Sequence, residues 1–533
     1  MIRINYILII LTLCFVHYTK AEDNYSLGLK KYNLNDNIGA LADFSKAIED
    51  NPKDAKAYCK RGNAKYLLLD YTGAIQDCTK SIEINSKYAE AYNVRGITEK
   101  KLKDSISAIN DFKMSTEIIP VTSEDFNSRG DSRYYLNNII GAIEDYTKAI
   151  DIDPKNVEAY IFRGDAKEEQ QNYKGAILDF TKAIEIDPKN SRAYNSRGHI
   201  RYSLKDYDGA IADYTKAIDI YPKYAYAYLN RGISKSFLFN YKAAIIDYNM
   251  AIVINPKYNN AYDWRGTAKF SIQDYKGAIE DHTSAIDINP KEAIYYLNRG
   301  VAKNYLQNYK EAIADFDKAI TLDPKYAAIY NNRGHSNYLL LKYKEAIEDY
   351  TKAMKINPDN AIYIYNRGLA KYFFNDYTGA IADFDKSLKI DPKYVLAYSY
   401  RGSSKVETKD YNGAFSDFDR AINLDSLNAR NYFEKGILEF LLKGYAQAIN
   451  DFDKAIKIDS RNDQIFNWRA CTKYALSDYE NAIVDYSNAI KLSPKEGVYY
   501  YSRGLVERQV NQIESANLDF KKATKLGYII PKE

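Results

Sequence analysis

The sequence predicts an all-α protein made of stacked pairs of antiparallel helices. The first observation is a period of 34 residues, at which the Arg197-Gly198 pair of the stretch 191–224 recurs along the chain. The phase is unbroken through fifteen units over residues 21–530. Within each unit, apolar residues follow a helical spacing, and a proline stands near the end of most units. These observations together predict one continuous repeat array rather than several independent domains.

The unit beginning at Ser191 illustrates the prediction for each element. Apolar spacing predicts a first helix over Arg192–Leu204 and a second over Tyr207–Ile220. Lys205 and Asp206 form the turn between them, and Pro222 ends the second helix because it lacks an N–H and fixes φ. One helix pair cannot bury its apolar face alone, so neighbouring pairs complete the core.

Small residues recur at fixed places in the unit, whose positions are numbered here from Ser191 as position 1. Position 8 is glycine in fourteen units, as at Gly198, and position 20 is alanine in all fifteen, as at Ala210. Position 27 is always alanine or serine. A larger side chain would overpack such a helix contact and cost about 1–3 kcal/mol. These positions therefore have a structural role.

The recurring residues resemble the tetratricopeptide repeat family. The resemblance implies a right-handed superhelical solenoid and a role in protein–protein interaction, and it covers nearly the whole chain after the first 21 residues. The chain departs from the family pattern by carrying mostly Arg at position 7 and Lys or Arg at position 11. The residues that carry the resemblance are Tyr194, Gly198, Tyr207, Ala210, Tyr214, Ala217 and Pro222.

Position 23 is aspartate in every unit, as at Asp213. Together with Arg197 it predicts an ion pair between the two helices of a unit, because a guanidinium fits a carboxylate bidentately. The alternative is a charged ladder that binds ligand. The structural interpretation is favoured, since the aspartate does not vary between units while ligand-facing residues should.

The N-terminus predicts export. A basic start is followed by ten residues that are apolar except for Thr12, and Thr19 and Ala21 have the spacing of a cleavage site. We therefore expect a signal peptide at residues 1–21, an array at 22–530 and a tail at 531–533, and a periplasmic, cell-envelope or secreted protein. Retention of the leader as an anchor stays open. No other membrane-spanning segment is expected.

Composition argues against catalysis and against nucleic-acid binding. The net charge of +4 in 533 residues creates no strong field for polyanions. The chain has four histidines and four cysteines, and their spacing indicates neither a metal site nor a disulfide framework. His282 occupies a framework position normally held by an aromatic ring. We therefore expect no enzyme activity, no metal and no cofactor.

The family resemblance also implies where a ligand would bind. In proteins of that family the first helices line a concave face, toward which positions 2, 5, 9, 12 and 13 point. The residues at these positions vary here between units, as expected of a constant scaffold with a specific surface. The candidate ligand-binding residues are Asn195, His199, Tyr202, Leu229, Ile233, Asp263, Phe270, Leu297, Asn304, Tyr305, Asn331, His335, Tyr338, Tyr365 and Tyr372. Alternatively, the aromatic members pack against one another.

Two functions stay open from the sequence. The first is an exported scaffold that binds peptide segments or partner domains on the concave face. The second is a glycan-associated module of polysaccharide assembly or export, in which aromatic rings stack on sugars. Recurrent asparagine at the concave positions favours peptide, because amides hydrogen-bond an extended backbone. The apolar last repeat also suggests self-association through the ends of the array.

Overall fold

The computed structural model describes residues 23–33 and 36–529, apart from the side chain of Asn33. The predicted signal peptide and the tail at 531–533 lie outside these residues. The chain divides into two units, one ending at Ala268 and the other beginning at Lys269, and each is described by itself. Thirty helices in tandem pairs make up the described residues, which contain no β-strand. The predicted all-α class and helix-pair repeat are confirmed.

The first unit contains repeats 1–7 and most of the first helix of repeat 8. Its helices are α1 (Asn24–Asn33), α2 (Asn37–Asp50), α3 (Ala55–Leu67), α4 (Tyr71–Ile84), α5 (Ala89–Lys101), α6 (Ser105–Glu117), α7 (Ser123–Tyr135), α8 (Ile139–Ile152), α9 (Val157–Glu169), α10 (Tyr173–Ile186), α11 (Ser191–Ser203), α12 (Tyr207–Ile220), α13 (Ala225–Phe237), α14 (Tyr241–Ile254) and α15 (Asn259–Ser271). The first helix of repeat 6 begins and ends one residue earlier than the sequence predicts.

The second unit contains the end of α15 and repeats 9–15, preceded by the second helix of repeat 8. Its helices are α16 (Tyr275–Ile288), α17 (Ala293–Tyr305), α18 (Tyr309–Leu322), α19 (Ala327–Leu339), α20 (Tyr343–Ile356), α21 (Ala361–Phe373), α22 (Tyr377–Ile390), α23 (Val395–Glu407), α24 (Tyr411–Leu424), α25 (Ala429–Leu441), α26 (Tyr445–Ile458), α27 (Asp463–Ala475), α28 (Tyr479–Leu492), α29 (Gly497–Gln509) and α30 (Ile513–Lys525).

The turn between the two helices of a repeat contains a left-handed residue at position 15. In repeat 6 this is Lys205, with φ of 64°. Its N–H donates to the carbonyl of Tyr202, and the N–H of Asp206 donates to the carbonyl of Arg201, both at 2.8 Å. This pattern is a Schellman motif, which satisfies the last carbonyls of the first helix. A non-glycine residue with positive φ occupies position 15 in fourteen repeats.

The residue after this turn begins the second helix. In repeat 6 the Asp206 side chain accepts the N–H of Gly209 at 3.0 Å, as an N-cap does. At the end of α30, Gly527 has φ of 88°, and its N–H donates to the carbonyl of Thr524 at 2.9 Å. Gly527 therefore caps the last helix.

Most repeats pack a position 8 glycine against an aromatic ring at position 24, whereas Gly62 of repeat 2 packs against the Cys78 sulfur. A Cβ added at Gly198 would lie 3.0 Å from Cε1 of Tyr214. Ala210 and Ala217 are completely buried in the same contact. At Gly232 an added Cβ would lie 2.6 Å from the Tyr248 ring, so even alanine would force a shift there.

The aspartate at position 23 holds the two helices together through a charged network. Arg197 donates from Nε and Nη2 to the two carboxylate oxygens of Asp213, at 3.0 and 2.7 Å. Arg201 of the same helix adds a bond at 2.8 Å to Asp213, which is 3 % exposed. Arg197 also stacks over the Tyr194 ring at 5.7 Å. The ion pair predicted from the sequence therefore lies between the paired helices and leaves little room for a ligand.

The same arginine also joins consecutive repeats, which the sequence analysis did not predict. Nη1 of Arg197 donates to the Thr181 hydroxyl on the second helix of the preceding repeat, at 3.1 Å. Equivalent bonds from position 7 to position 25 of the preceding repeat end on Ser45, Thr79, Thr147, Thr215, Asn249, Thr283, Asp317, Thr351, Asp385, Asp419, Asp453 and Ser487. We call this contact the inter-repeat bond.

Candidate functional site

A groove of about 790 Å³ lies in the first unit. Its wall begins at Leu29 in repeat 1 and ends at Arg192 in repeat 6, so residues far apart in sequence share one cavity. Most of the lining comes from the first helices α1, α3, α5, α7 and α9. Tyr146 of α8, the turns after α8 and α10, and the start of α11 complete it. The volume lies within the range of about 300–1,000 Å³ usual for ligand sites.

At one end of the groove, a lysine and a glutamate neutralise each other. Lys60 Nζ lies 2.6 Å from Oε1 of Glu90, whose second oxygen accepts the Tyr88 hydroxyl. Burial works to raise the pKa of Glu90, but Lys60, the Tyr88 hydroxyl and Lys56 together outweigh burial and keep that pKa below its usual value. Both groups are therefore charged, and their attraction is already satisfied within the protein.

In the middle of the groove, Asp131 occupies position 9 of repeat 4. Its carboxylate accepts the Tyr146 hydroxyl at 2.7 Å and the Asn93 amide at 3.2 Å. Burial raises the pKa of Asp131 to about 7, and the two hydrogen bonds offset only part of that effect. The carboxyl group can therefore gain or lose a proton near neutral pH, and a cation beside it would favour the charged form.

The same position in repeat 5 carries Asp165, which pairs with Arg192. Arg192 Nη2 lies 2.8 Å from Oδ2 of Asp165, and its guanidinium stacks over the Phe162 ring at 4.9 Å. Burial raises the pKa of Asp165, and Arg192 works against that rise. Nearby, burial together with Asp165 raises the pKa of Glu168 to about 7. Arg192, the cation at this end of the groove, is thus also paired with an acidic residue of the protein, Asp165.

One side-chain amide on the groove wall, that of Asn127, has an oxygen without a hydrogen-bond partner. Asn127 is only 6 % exposed, and its amide nitrogen donates to Oδ1 of Asn156 at 3.3 Å. Its Oδ1 accepts no hydrogen bond although the atom is buried. A buried polar atom without a partner is unfavourable, so this oxygen is suited to a donor from a ligand.

The described residues contain no cluster of His, Cys, Asp and Glu that could hold a metal ion. Nor does any helix within 23–33 and 36–529 have the length and apolar character to cross a membrane. The groove offers carboxylates, amides and tyrosine rings. Such groups can bind donors and cations by hydrogen bonds and ion pairs.

The candidate residues predicted from the sequence all lie in repeats 6–11, outside this groove. Position 5 is the least accessible of them: Asn195, Leu229, Leu297 and Tyr365 are between 4 and 7 % exposed. These side chains lie between helices and present almost no surface to a ligand. The Oδ1 of Asn195 nevertheless lacks a partner, as in Asn127.

The other candidates are half-buried or exposed. His199 Nε2 lies 3.4 Å from Glu168, Asn304 accepts the Ser336 hydroxyl at 2.9 Å, and Asn331 accepts an amide of Asn366 at 2.9 Å. His335 lies beside Tyr338 with a ring separation of 6.4 Å. The remaining half-buried members are Ile233, Asp263, Phe270 and Tyr372.

Several predicted aromatic residues pack against one another. Tyr202 contacts Tyr207 and, in the next repeat, Phe237, with centroid distances of 5.7 and 5.6 Å. Tyr207 and Phe237 stack at 5.2 Å with an interplanar angle of 13°. We call such a set, formed by positions 12 and 17 and the next repeat's position 13, an aromatic triad. The stacked faces of Tyr207 and Phe237 are closed to a sugar, while Phe237 as a whole remains 44 % exposed.

The triad recurs twice in the second unit. Its members there are Phe270, Tyr275 and Tyr305, and Tyr338, Tyr343 and Phe373. Tyr305 remains 60 % exposed. A further ring, Tyr372, lies 5.6 Å from Tyr400, which accepts a bond from Arg430 at 2.7 Å.

The groove is not among the sites predicted from the sequence, because the predicted candidates all come from repeats 6–11. A signal was nevertheless present. Position 2 is glutamate in three consecutive repeats, at Glu90, Glu124 and Glu158, and position 9 is aspartate in the last two of them. Reading the charge of each concave position along the array would have located the groove.

Three family models match parts of the chain. A tetratricopeptide repeat model matches residues 191–224 and 327–360. A TPR repeat model matches residues 130–171, 164–204 and 302–340, and a further tetratricopeptide repeat model matches residues 361–394 and 463–496. No curated protein matches the chain.

Among solved structures, the chain resembles a subunit of the APC/C heterotetramer Cut9–Hcn1 at 15% identity, covering 92% of this chain and 98% of that one, with a TM-score of 0.43. Yeast Tom70 matches at 18% identity over 82% of this chain and 97% of its own, with a TM-score of 0.35. A tetratricopeptide repeat protein from Parabacteroides merdae matches at 20% identity over 48% and 97%, with a TM-score of 0.37.

Proposed function

Because the chain is built from tandem tetratricopeptide repeats, we propose that it is an exported scaffold that binds a peptide segment of a partner protein along its first helices. The observation that carries the proposal is the groove, in which the buried Oδ1 of Asn127 accepts no hydrogen bond. Backbone N–H groups of an extended peptide are donors of the required kind. Six repeats contribute to the groove, which suits an elongated ligand.

Peptide binding is tested with random peptides displayed on phage and selected on the purified full chain. We expect enriched peptides to bind with a Kd that rises about fivefold in Asn127→Ala, since one neutral hydrogen bond contributes about 1 kcal/mol. Asn412→Ala, an exposed asparagine on α24, is the matched control and should leave the Kd unchanged. Selection that enriches no peptide would refute the proposal.

The glycan alternative has a separate outcome. Binding to a glycan array without peptide binding, abolished by Tyr338→Ala and by Tyr372→Ala, would favour that alternative. Stacking on a sugar needs an open ring face, so in the aromatic triads it would have to use rings that remain exposed, such as Tyr305.

Export is tested at the N-terminus of the protein recovered from cells. Cleavage after Ala21 predicts Glu22 as the first residue in a mass-spectrometric analysis of the envelope or secreted fraction. Recovery of the intact N-terminus from the cytoplasmic fraction would contradict export.

A further inference from the structure

The groove is more acidic than the chain that forms it. Seven carboxylates line it against three cationic side chains, whereas the whole chain has a net charge of +4. Lys60 and Arg192 are already paired with Glu90 and Asp165. The third cation, Lys189, lies on the exposed turn before α11. The groove thus has an excess of negative charge that its own cations do not balance.

Two of the unbalanced carboxylates occupy equivalent places on neighbouring repeats. Glu124 and Glu158 stand at position 2 of α7 and α9, and both are exposed. Neither makes an ion pair in the part of the chain that the structure describes. The electrostatic field of Glu158 reaches across the groove to Tyr32 in repeat 1. Burial is the main cause of the raised pKa of Tyr32, and Glu158 is the second.

The unpaired amide oxygen of Asn127 lies on the same wall. It stands one turn after Glu124 on α7 and lines the groove together with both glutamates. Its buried Oδ1 is an acceptor without a donor. A ligand that combines cations with N–H donors satisfies both features. A phosphate backbone would be repelled by the carboxylates, which excludes nucleic acid from this surface.

From this arrangement we infer that the groove of repeats 1–6 binds a basic peptide segment, whose Lys or Arg side chains pair with Glu124 and Glu158 while its backbone donates to Asn127. The inference rests on the proposed function and specifies the chemistry of the peptide. Arginine and lysine on a flexible partner segment would replace water around two exposed carboxylates, and the existing Lys60–Glu90 and Asp165–Arg192 pairs would remain intact.

The test uses fluorescein-labelled octalysine and octaglutamate with the full chain, followed by fluorescence anisotropy at low salt. Octalysine should bind and octaglutamate should not. Glu124→Gln combined with Glu158→Gln should weaken octalysine binding about fourfold to twenty-fivefold, since each exposed ion pair contributes about twofold to fivefold in Kd. Glu311→Gln combined with Glu345→Gln, both exposed on second helices, makes the same change in net charge and should alter the Kd less than twofold.

Three results would overturn the inference. They are absence of octalysine binding, an equal loss of binding in the control pair, and competition by spermine as strong as that by unlabelled octalysine, which would remove the role of the peptide backbone. If phage selection enriches peptides without Lys or Arg that still depend on Asn127, the basic ligand is wrong while the peptide-binding scaffold stands. Both double variants should retain the wild-type melting temperature, since these glutamates make no ion pair.

Discussion

Asp213 accepts hydrogen bonds from two guanidinium groups at a site that water hardly reaches. We expect Asp213→Ala to lower the free energy of unfolding by about 3 kcal/mol, because it leaves Arg197 and Arg201 without their shared acceptor. Circular dichroism melting of the full chain measures the effect. Asp208→Ala, an exposed aspartate on the same helix, should change stability by less than about 0.5 kcal/mol. An unchanged melting temperature in Asp213→Ala would contradict a structural role, and peptide affinity should be the same in both variants.

A second prediction at the residue scale concerns Asp131 and the pH dependence of stability. Its pKa of about 7 in the folded protein lies above the usual aspartate value of about 4. Between these two values the folded state holds a proton that the unfolded state has lost, so stability falls as pH rises through this window and levels off above it. Glu158 strengthens this dependence, whereas Arg192, Tyr146 and Asn93 weaken it.

The melting temperatures of the wild type and Asp131→Asn, measured from pH 4.5 to pH 8, test this prediction. The wild type should lose stability relative to the variant as pH rises, because asparagine carries no charge at any pH. Glu168 has a raised pKa in both proteins, so its contribution cancels in the difference between their melting temperatures. A difference that is constant over the whole range would show that Asp131 does not titrate in this window.

At the scale of elements, the turn inside fourteen of the repeats is strained by its left-handed residue. Replacing Lys205 by glycine should stabilise the protein by about 0.5 kcal/mol, since relief of the positive φ slightly exceeds the added freedom of the unfolded chain. Lys205→Val should destabilise it by about 1 kcal/mol or more, because a β-branched residue fits this conformation poorly. Thermal melting of the two variants against the wild type measures both. A gain for valine would contradict the φ assignment.

Helix pairs of this kind could be predicted closely because their determinants are local. The spacing of Gly198, Ala210 and Ala217 predicts the close helix contact, and Pro222 predicts the end of the second helix. Arg197 and Asp213 predict their own ion pair because they recur together. By contrast, the inter-repeat bond to Thr181 could not be predicted from the repeat pattern, since position 25 varies among Ser, Thr, Asn, Asp and Lys.

The candidate site could be predicted less well. Concave positions follow from the repeat, but burial at a position differs from one repeat to the next: Tyr365 at position 5 is buried, whereas Asn331 at the same position is partly accessible. The groove of repeats 1–6 depends on the approach of residues such as Tyr32 and Glu158, which are far apart in the chain. Periodicity within one repeat contains no information on such distances.

At the scale of the whole molecule, each repeat depends mainly on its neighbours, so a weak junction can open by itself. A cavity of about 660 Å³ lies along repeats 12–14. At the junction of repeats 12 and 13, which lines one side of it, Ser426 replaces the usual proline and Leu427 is 78 % exposed. Amide hydrogen exchange of residues 420–435 should therefore be faster than that of residues 352–367, the equivalent junction that contains Pro358. Equal protection would contradict a weak junction.

Proline should strengthen that junction. Asp425, which precedes Ser426, has φ of −143° and ψ of 92°, an extended conformation that proline tolerates after it. We expect Ser426→Pro to stabilise the protein by about 0.5–1 kcal/mol by restricting the unfolded chain, and to slow exchange at 420–435. Ser460→Pro, at the same position of repeat 13, provides an independent comparison. Faster exchange in Ser426→Pro would show that the backbone there cannot accept proline.

The inter-repeat bond has a direction along the chain. The donor at position 7, an arginine in every case but Lys435, belongs to the later repeat, and its acceptor belongs to the helix completed just before it, as with Arg197 and Thr181. A chain leaving a ribosome or a translocation pore from its N-terminus therefore presents each new repeat with a neighbour already carrying its acceptor. Assembly can proceed vectorially, one helix pair at a time, without waiting for residues that have yet to emerge.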